Sequence, residues 1–368
     1  MPDVLIIGAG PAGCVAASLL ARARFSVHLL EQHTFPRDKV CGECLSALGI
    51  DVLNRAGLES RIAALHPARF TRALLYADQT PAIEVPLPRA MWGVSRSALD
   101  AALLDAARDA GAIVTQPARG ERVTPGPRPR AHWRCLRTNQ QREESFNWVL
   151  IGDGKGALTL GSAIRGASGD LGIKAHFTHV ASPRDAIELF GVRGHYGGVA
   201  AVEGDRWNVA FSVPVERVRQ SGGNVEQMFS DMTAENAALR AAFGSARRAS
   251  DWLASPLPRF AVRPAWPHRI IPLGNAAAAL EPVGGEGMGL AMRSAELAAA
   301  ALIAHRDGGE ESSMRHLRRQ FDQLWRARSW GSRWLARMLS SPTLADAAAP
   351  LVAGNRHVIR AILRMTGK

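Results

Sequence analysis

The chain opens on Val4-Leu-Ile-Ile-Gly-Ala-Gly-Pro-Ala-Gly13, and this stretch constrains the possible folds more than any other. An apolar run that breaks at Gly8, Gly10 and Gly13 and resumes with helical spacing is a strand, a tight turn and a helix N-terminus. Gly8 allows the turn. Gly10, followed by Pro11 and Ala12, lets backbone approach a pyrophosphate, and Gly13 lets the helix close on the strand. The phosphates of a dinucleotide would meet free N–H groups there. A second apolar run, Val27 to Leu30, ends in Glu31. That carboxylate is placed to accept hydrogen bonds from an adenosine ribose and would repel a 2′-phosphate.

With 368 residues the chain can bury a full core, in one large or two interleaved domains. A composition 47% hydrophobic and 21% charged argues against extensive disorder. No apolar run approaches the ~20 residues needed to span a bilayer, and a strand begins almost at once. The expectation is a cytoplasmic protein without a signal peptide. The formal charge of +12 comes from 45 basic against 33 acidic residues. The arginines are scattered and do not alternate with aromatics, so nucleic acid is not the expected partner. Cys14, Cys41, Cys44 and Cys135 do not suggest a disulfide framework. Cys41-Gly-Glu-Cys44 has CxxC spacing, but no second pair or His-x-x-x-His accompanies it, so no metal is expected.

Further along, Pro- and Gly-punctuated sequence leads into a helix over Ala47 to Ala56, then short strands at Leu74–Tyr76 and Ile83–Val85. Ser97 onward is helical and Gly111–Thr115 starts another strand. Residues 117 to 147 read as hairpin strands. Asn147–Ile151 is a buried strand running into Gly152-Asp-Gly154, a second phosphate loop or a structural turn. From Leu171 to Pro214 the alternation is that of an antiparallel sheet, followed by helices over 224 to 244. Arg269–Ala276 is a strand and turn, Glu281–Gly289 a glycine-rich loop, and Ala291–Ala304 an amphipathic helix. The glycine-rich regions at the two ends must meet around one ligand.

Gly8-Ala-Gly-Pro-Ala-Gly13, Arg96 with Asp100, Gly152-Asp153-Gly154, Gly274-Asn275-Ala, and Pro282-Val-Gly-Gly-Glu-Gly-Met288 occur in the order found in FAD-dependent aromatic hydroxylases and geranylgeranyl reductases. The chain resembles that superfamily from residue 3 to about residue 305. Phe35-Pro-Arg-Asp-Lys-Val-Cys-Gly-Glu43, Leu171-Gly-Ile-Lys-Ala-His-Phe177 and Tyr196-Gly-Gly are closer to its geranylgeranyl-reductase-like branch. The resemblance implies an α/β fold: a Rossmann-like FAD-binding domain, an inserted antiparallel-sheet substrate domain and a helical C-terminal tail. The FAD-binding parts would be 1–72, 93–170 and 262–310, the substrate domain 73–92 and 171–261, and the tail 311–368.

The implied cofactor is FAD, with NAD(P)H as electron donor and a separate flavin reductase as an alternative source of electrons. Besides the first glycine turn and Glu31, it would be held by Arg37, Arg96, Asp153, Gly274, Asn275, Gly284, Gly285, Gly287 and Met288. Asn275 stands where the family usually has an acid. The glycine-rich loop and the helix after it would face the flavin edge that becomes negative on reduction.

The implied activity is NAD(P)H- and O2-dependent hydroxylation of a small hydrophobic phenolic or polyketide-derived substrate, with Phe177, Phe190 and Phe211 as pocket wall and His176, His195 and Tyr196 as candidates to bind or deprotonate a phenol. Alternatives are saturation of isoprenoid C=C bonds, with Cys41 delivering a proton, and halogenation, whose Trp-x-Trp-x-Ile-Pro signature only Trp266 and Ile271-Pro272 echo. Outside enzymology stands a flavin-binding membrane or partner module. The basic, apolar segments Leu324–Trp334 and Ile359–Arg364 are compatible with peripheral membrane contact, though packing on the FAD domain is the favoured reading.

Overall fold

A computed structural model describes residues 3–76, 82–154, 158, 170–192, 194–258, 260, 266–306, 310–341 and a few positions between 343 and 359. All but Ile359 of the expected helix Ile359–Arg364, and the end of the loop after Gly154, lie outside the described residues. The first sheet is parallel throughout, in the order Ile270–Pro272, Trp148–Ile151, Val4–Ile7, Val27–Leu30, Ile113–Thr115. Parallel strands of this kind are covered on both faces, which is why Val4–Ile7, Val27–Leu30 and Trp148–Ile151 are unbroken apolar runs. One face carries the helices Pro11–Arg22, Arg96–Asp109 and Gly287–Arg306, with Leu20, Leu103 and Met292 in the core they share. A three-stranded antiparallel sheet, residues 118–145, covers the other through Trp133 and Phe146.

The helix Gly287–His305 corrects one expectation: by length and composition it is apolar enough to cross a membrane. Arg293 and Glu296 interrupt its hydropathy in the sequence. In the fold it packs between the first helix, the helix Ala47–Arg55 and the C-terminal helix Glu310–Leu339, burying Leu290, Ala295, Ala298 and Leu302.

The second sheet has nine strands and is mixed rather than purely antiparallel. Ala186–Val192 pairs in parallel with Ala68–Tyr76, Ala186 opposite Arg72, while the other pairs are antiparallel. The parallel pair joins segments more than a hundred residues apart, which strand alternation alone does not reveal. Ala68–Tyr76 continues across residue 72, with a shift of register against Ile83–Gly93 between Phe70 and Arg72.

Two of the three expected pocket phenylalanines belong to packing layers instead. Phe177 packs in an aromatic cluster with Phe229, Phe243 and Trp252, ring centroids 5.3–5.8 Å away, under the helices Val225–Glu235 and Ala237–Phe243. Phe190 stacks on Tyr76 at 4.7 Å. Phe211 does line the cleft between the two sheets.

Candidate active site

The first glycine turn is built by close backbone approach. Gly8 has φ +99°, and a Cβ there would lie 2.4 Å from the Gly152 carbonyl oxygen; one on Gly13 would lie 1.8 Å from the Gly8 carbonyl oxygen. Gly10 differs, because a Cβ on it would meet only Arg96 Nη2, at 3.8 Å. The helix that starts at Pro11 has no side-chain cap, so its first N–H groups face this open space. Glu31 is buried at the end of its strand, where Oε2 accepts the Ala9 N–H at 2.8 Å and Oε1 the His33 N–H at 2.9 Å. Each oxygen keeps a lone pair for a hydroxyl.

Positive charge gathers beside the turn. Arg96 is buried and forks onto Asp100, Nε to Oδ1 at 2.9 Å and Nη2 to Oδ2 at 2.7 Å. Burial works against its charge, but Asp100, helped by Cys41, outweighs burial and raises its pKa. Arg37 lies 3.6 Å from Asp100 and 3.9 Å from Glu31, and its Nε is buried without a hydrogen-bond partner among the described residues. Lys39 lines the cleft, where burial and then Arg96 and Arg37 lower its pKa to about 8. An open backbone cradle, an uncapped helix start, an orphaned guanidinium nitrogen and a lysine repelled by its neighbours fit a pyrophosphate. The residues present therefore fit FAD.

The cleft also receives the C-terminal glycine region. Gly274, Asn275, Gly284, Gly285, Gly287 and Met288 line it together with Gly10, Pro11 and Ala12. Gly274 donates its N–H to Ser294 Oγ at 2.8 Å, and Asn275 is exposed. Gly285 has φ +65°, and a Cβ there would press on Cys44 Cβ and Met91 Cε at 3.2 Å, while Gly287 faces open space. Asp153 is placed differently. Its neighbours Gly152 and Gly154 line the cleft, but its Oδ2 accepts the Leu158 N–H at 2.9 Å, a capping contact on the next stretch of chain.

Opposite the glycines, Ile173, Ile187, Leu189 and Phe211 of the mixed sheet form an apolar wall. Cys41 is half-buried on the cleft; its Sγ accepts the Glu43 N–H at 3.4 Å, and its carbonyl accepts Asn208 Nδ2 at 3.1 Å. Tyr196 also lines it and donates to Glu281 Oε2 at 2.8 Å. Burial and the Glu281 carboxylate push the Tyr196 phenol up, and burial raises Glu281.

Both candidate histidines lie off the cleft. His195, next to Tyr196 on its strand, is buried but is not among the residues lining it. His176 is buried with Nε2 2.7 Å from Glu43 Oε2. Glu43 was not singled out from sequence, yet it ties the site together. With φ +56° and no exposure, it accepts the Arg96 N–H at 2.8 Å and Lys174 Nζ at 2.7 Å on Oε1. Lys174, fully buried, reaches Asp38 as well, at 3.0 Å. Asp38, Glu43 and His176 offer ligand atoms within 4.8 Å of one another, but the Lys174 ammonium already bridges the two carboxylates. The sequence signal for this cluster was that Asp38 and Glu43 stand in one of the segments, and Lys174 and His176 in another, that carry the resemblance to the geranylgeranyl-reductase-like branch.

Comparison with known proteins gives the same cofactor. A menaquinone reductase of Mycobacterium tuberculosis is 35% identical over 115 residues, 30% of this chain and 28% of that protein, so the match spans less than a third of the reductase. Conditioned medium factor receptor 1 of Dictyostelium discoideum is 25% identical over 400 residues, 99% of this chain and 76% of that protein. A geranylgeranyl bacteriochlorophyll reductase-like protein from Thermoplasma acidophilum superposes with a TM-score of 0.83 at 17% identity, covering 100% of this chain and 96% of that one. The family model described as an FAD binding domain matches residues 1–317, and the chain accordingly belongs to that family as an FAD-dependent oxidoreductase.

Proposed function

We propose that this oxidoreductase reduces a carbon–carbon double bond in an apolar substrate held against the mixed sheet, with Cys41 as the proton donor. The observation that carries this reading is that Cys41 stands on the cleft beside Arg96 while both histidines stand off it. FAD held in the glycine cradle and reduced by NAD(P)H would supply the hydride equivalent that this reduction needs. Cys41 gives its Sγ proton to one carbon of the double bond, and the Arg96 guanidinium stabilises the thiolate left behind until solvent reprotonates it. Ile173, Ile187, Leu189 and Phe211 exclude water and select an apolar chain. The resemblance to the geranylgeranyl-reductase-like branch and the likeness to a menaquinone reductase support this reading.

A specific pair favours hydroxylation as the second reading. A phenolic substrate can donate to Tyr196 Oη, which already donates to Glu281, so its proton has a path to a carboxylate whose raised pKa suits receiving it. Anaerobic turnover separates the two. Under reduction, NAD(P)H is consumed without O2, the product gains two hydrogens, and Cys41→Ala lowers kcat by roughly 100-fold or more with flavin still bound. Strict O2 dependence, with Tyr196→Phe impaired and Cys41→Ala unaffected, replaces reduction with hydroxylation.

A further inference from the structure

The C-terminal helix Glu310–Leu339 has two unlike faces. Leu317, Phe321 and Trp325 are buried on the FAD-binding unit, and Leu335, Ala336 and Leu339 pack with Tyr196 and Val283. On the opposite side Arg319, Arg326, Trp330, Arg333, Trp334 and Arg337 are all exposed. At 100° per residue these six fall within an arc of about 100°. Trp330 is 64% and Trp334 39% exposed, although large aromatics normally find cover. Between Arg315 and Arg337 the helix has seven arginines and one acidic residue, Asp322, which pairs with Arg326 at 3.1 Å. Arg333 donates to the carbonyl of Phe260, a residue that lines the cleft, so this face borders the site.

We propose that this arginine–tryptophan face docks on an anionic lipid bilayer and presents the cleft to it. Indole rings settle at the headgroup level, arginines meet lipid phosphates, and the buried face keeps the helix parallel to the surface. A second copy of the same face is disfavoured, because it would set arginines against arginines. The placement gives an apolar substrate a route into the cleft, but docking itself needs no turnover, so it stands or falls separately from the reaction above.

The test is co-sedimentation of the full chain, carrying FAD, with vesicles of phosphatidylcholine alone or mixed with phosphatidylglycerol. The protein is expected to pellet with the mixed vesicles, less so at high salt, and not with phosphatidylcholine. Arg319→Ala with Arg326→Ala should weaken binding roughly 30-fold, about 1 kcal/mol for each arginine near the surface. Trp330→Ser with Trp334→Ser should weaken it further, with unchanged melting and flavin content. Failure to pellet with mixed vesicles, equal binding to phosphatidylcholine, or arginine and tryptophan variants that bind like the parent would overturn the proposal. So would a dimer that the tryptophan changes dissociate, or an oligonucleotide bound through the same residues as tightly as the vesicles.

Discussion

Replacing Glu43 by Gln tests whether the loop around Cys41 is held from across the two sheets. The carboxylate accepts from Arg96 N–H, Lys174 Nζ and His176 Nε2 with no exposure to water. A glutamine keeps the shape but offers one acceptor and one NH2 group, so a donor must face the ammonium or the imidazole. Breaking a buried ion pair by removing one partner costs about 3–5 kcal/mol. Asp38 still holds Lys174, and its side chain is 38% exposed. The lower end, about 3 kcal/mol, is therefore expected, a fall in Tm of about 4 °C for a chain of 368 residues. Calorimetry of Glu43→Gln, Lys174→Met and the double variant reads this directly. The double variant should be more stable than Glu43→Gln alone, because no unpaired ammonium remains. A Glu43→Gln protein that melts with the parent, or a double variant whose losses simply add, refutes the reasoning.

Gly10→Val should leave the apo fold within about 1 kcal/mol of the parent, since only Arg96 Nη2 is near, yet abolish flavin retention; a yellow, active variant contradicts the cradle. Gly13→Ala should behave oppositely, with misfolding or a loss of more than about 3 kcal/mol in thermal unfolding, because its Cβ would fall on the Gly8 carbonyl. Lys39, with a pKa near 8 in the apo protein, should gain a proton when pyrophosphate binds. FAD affinity is then flat below pH 7 and roughly tenfold weaker by pH 9. Calorimetric titration at both values checks this, and Lys39→Met should remove the slope. In the apo protein the same lysine is destabilising below pH 8, and that penalty fades as pH rises toward its unfolded value of about 10.4.

What could be read ahead of the fold was local. The glycine turn, the strand ending at Glu31 and the second glycine loop follow from backbone sterics within a dozen residues, and their convergence on one cleft follows from a single ligand having to touch both. The roles of His176 and His195 were not readable, because period-2 alternation states that a residue faces one side without stating which side is the cleft. Glu43 was hidden for a related reason. Its charge partner Lys174 lies 131 residues away, and its positive φ is a property of the loop as folded. Asp153 was recognisable as part of a turn, but only coordinates show its carboxylate turned to the Leu158 N–H.

The side-by-side pairing of Ala186–Val192 with Ala68–Tyr76 has a consequence for how the molecule is made. The substrate wall draws strands from residues 44–93 and 170–256, and the flavin sheet draws its own from 4–30, 113–115, 148–151 and 270–272. Neither sheet is complete until the ribosome has passed residue 250, so no fragment ending before that point holds a complete sheet. Cutting the gene anywhere between residues 44 and 250 would leave two broken halves rather than two modules.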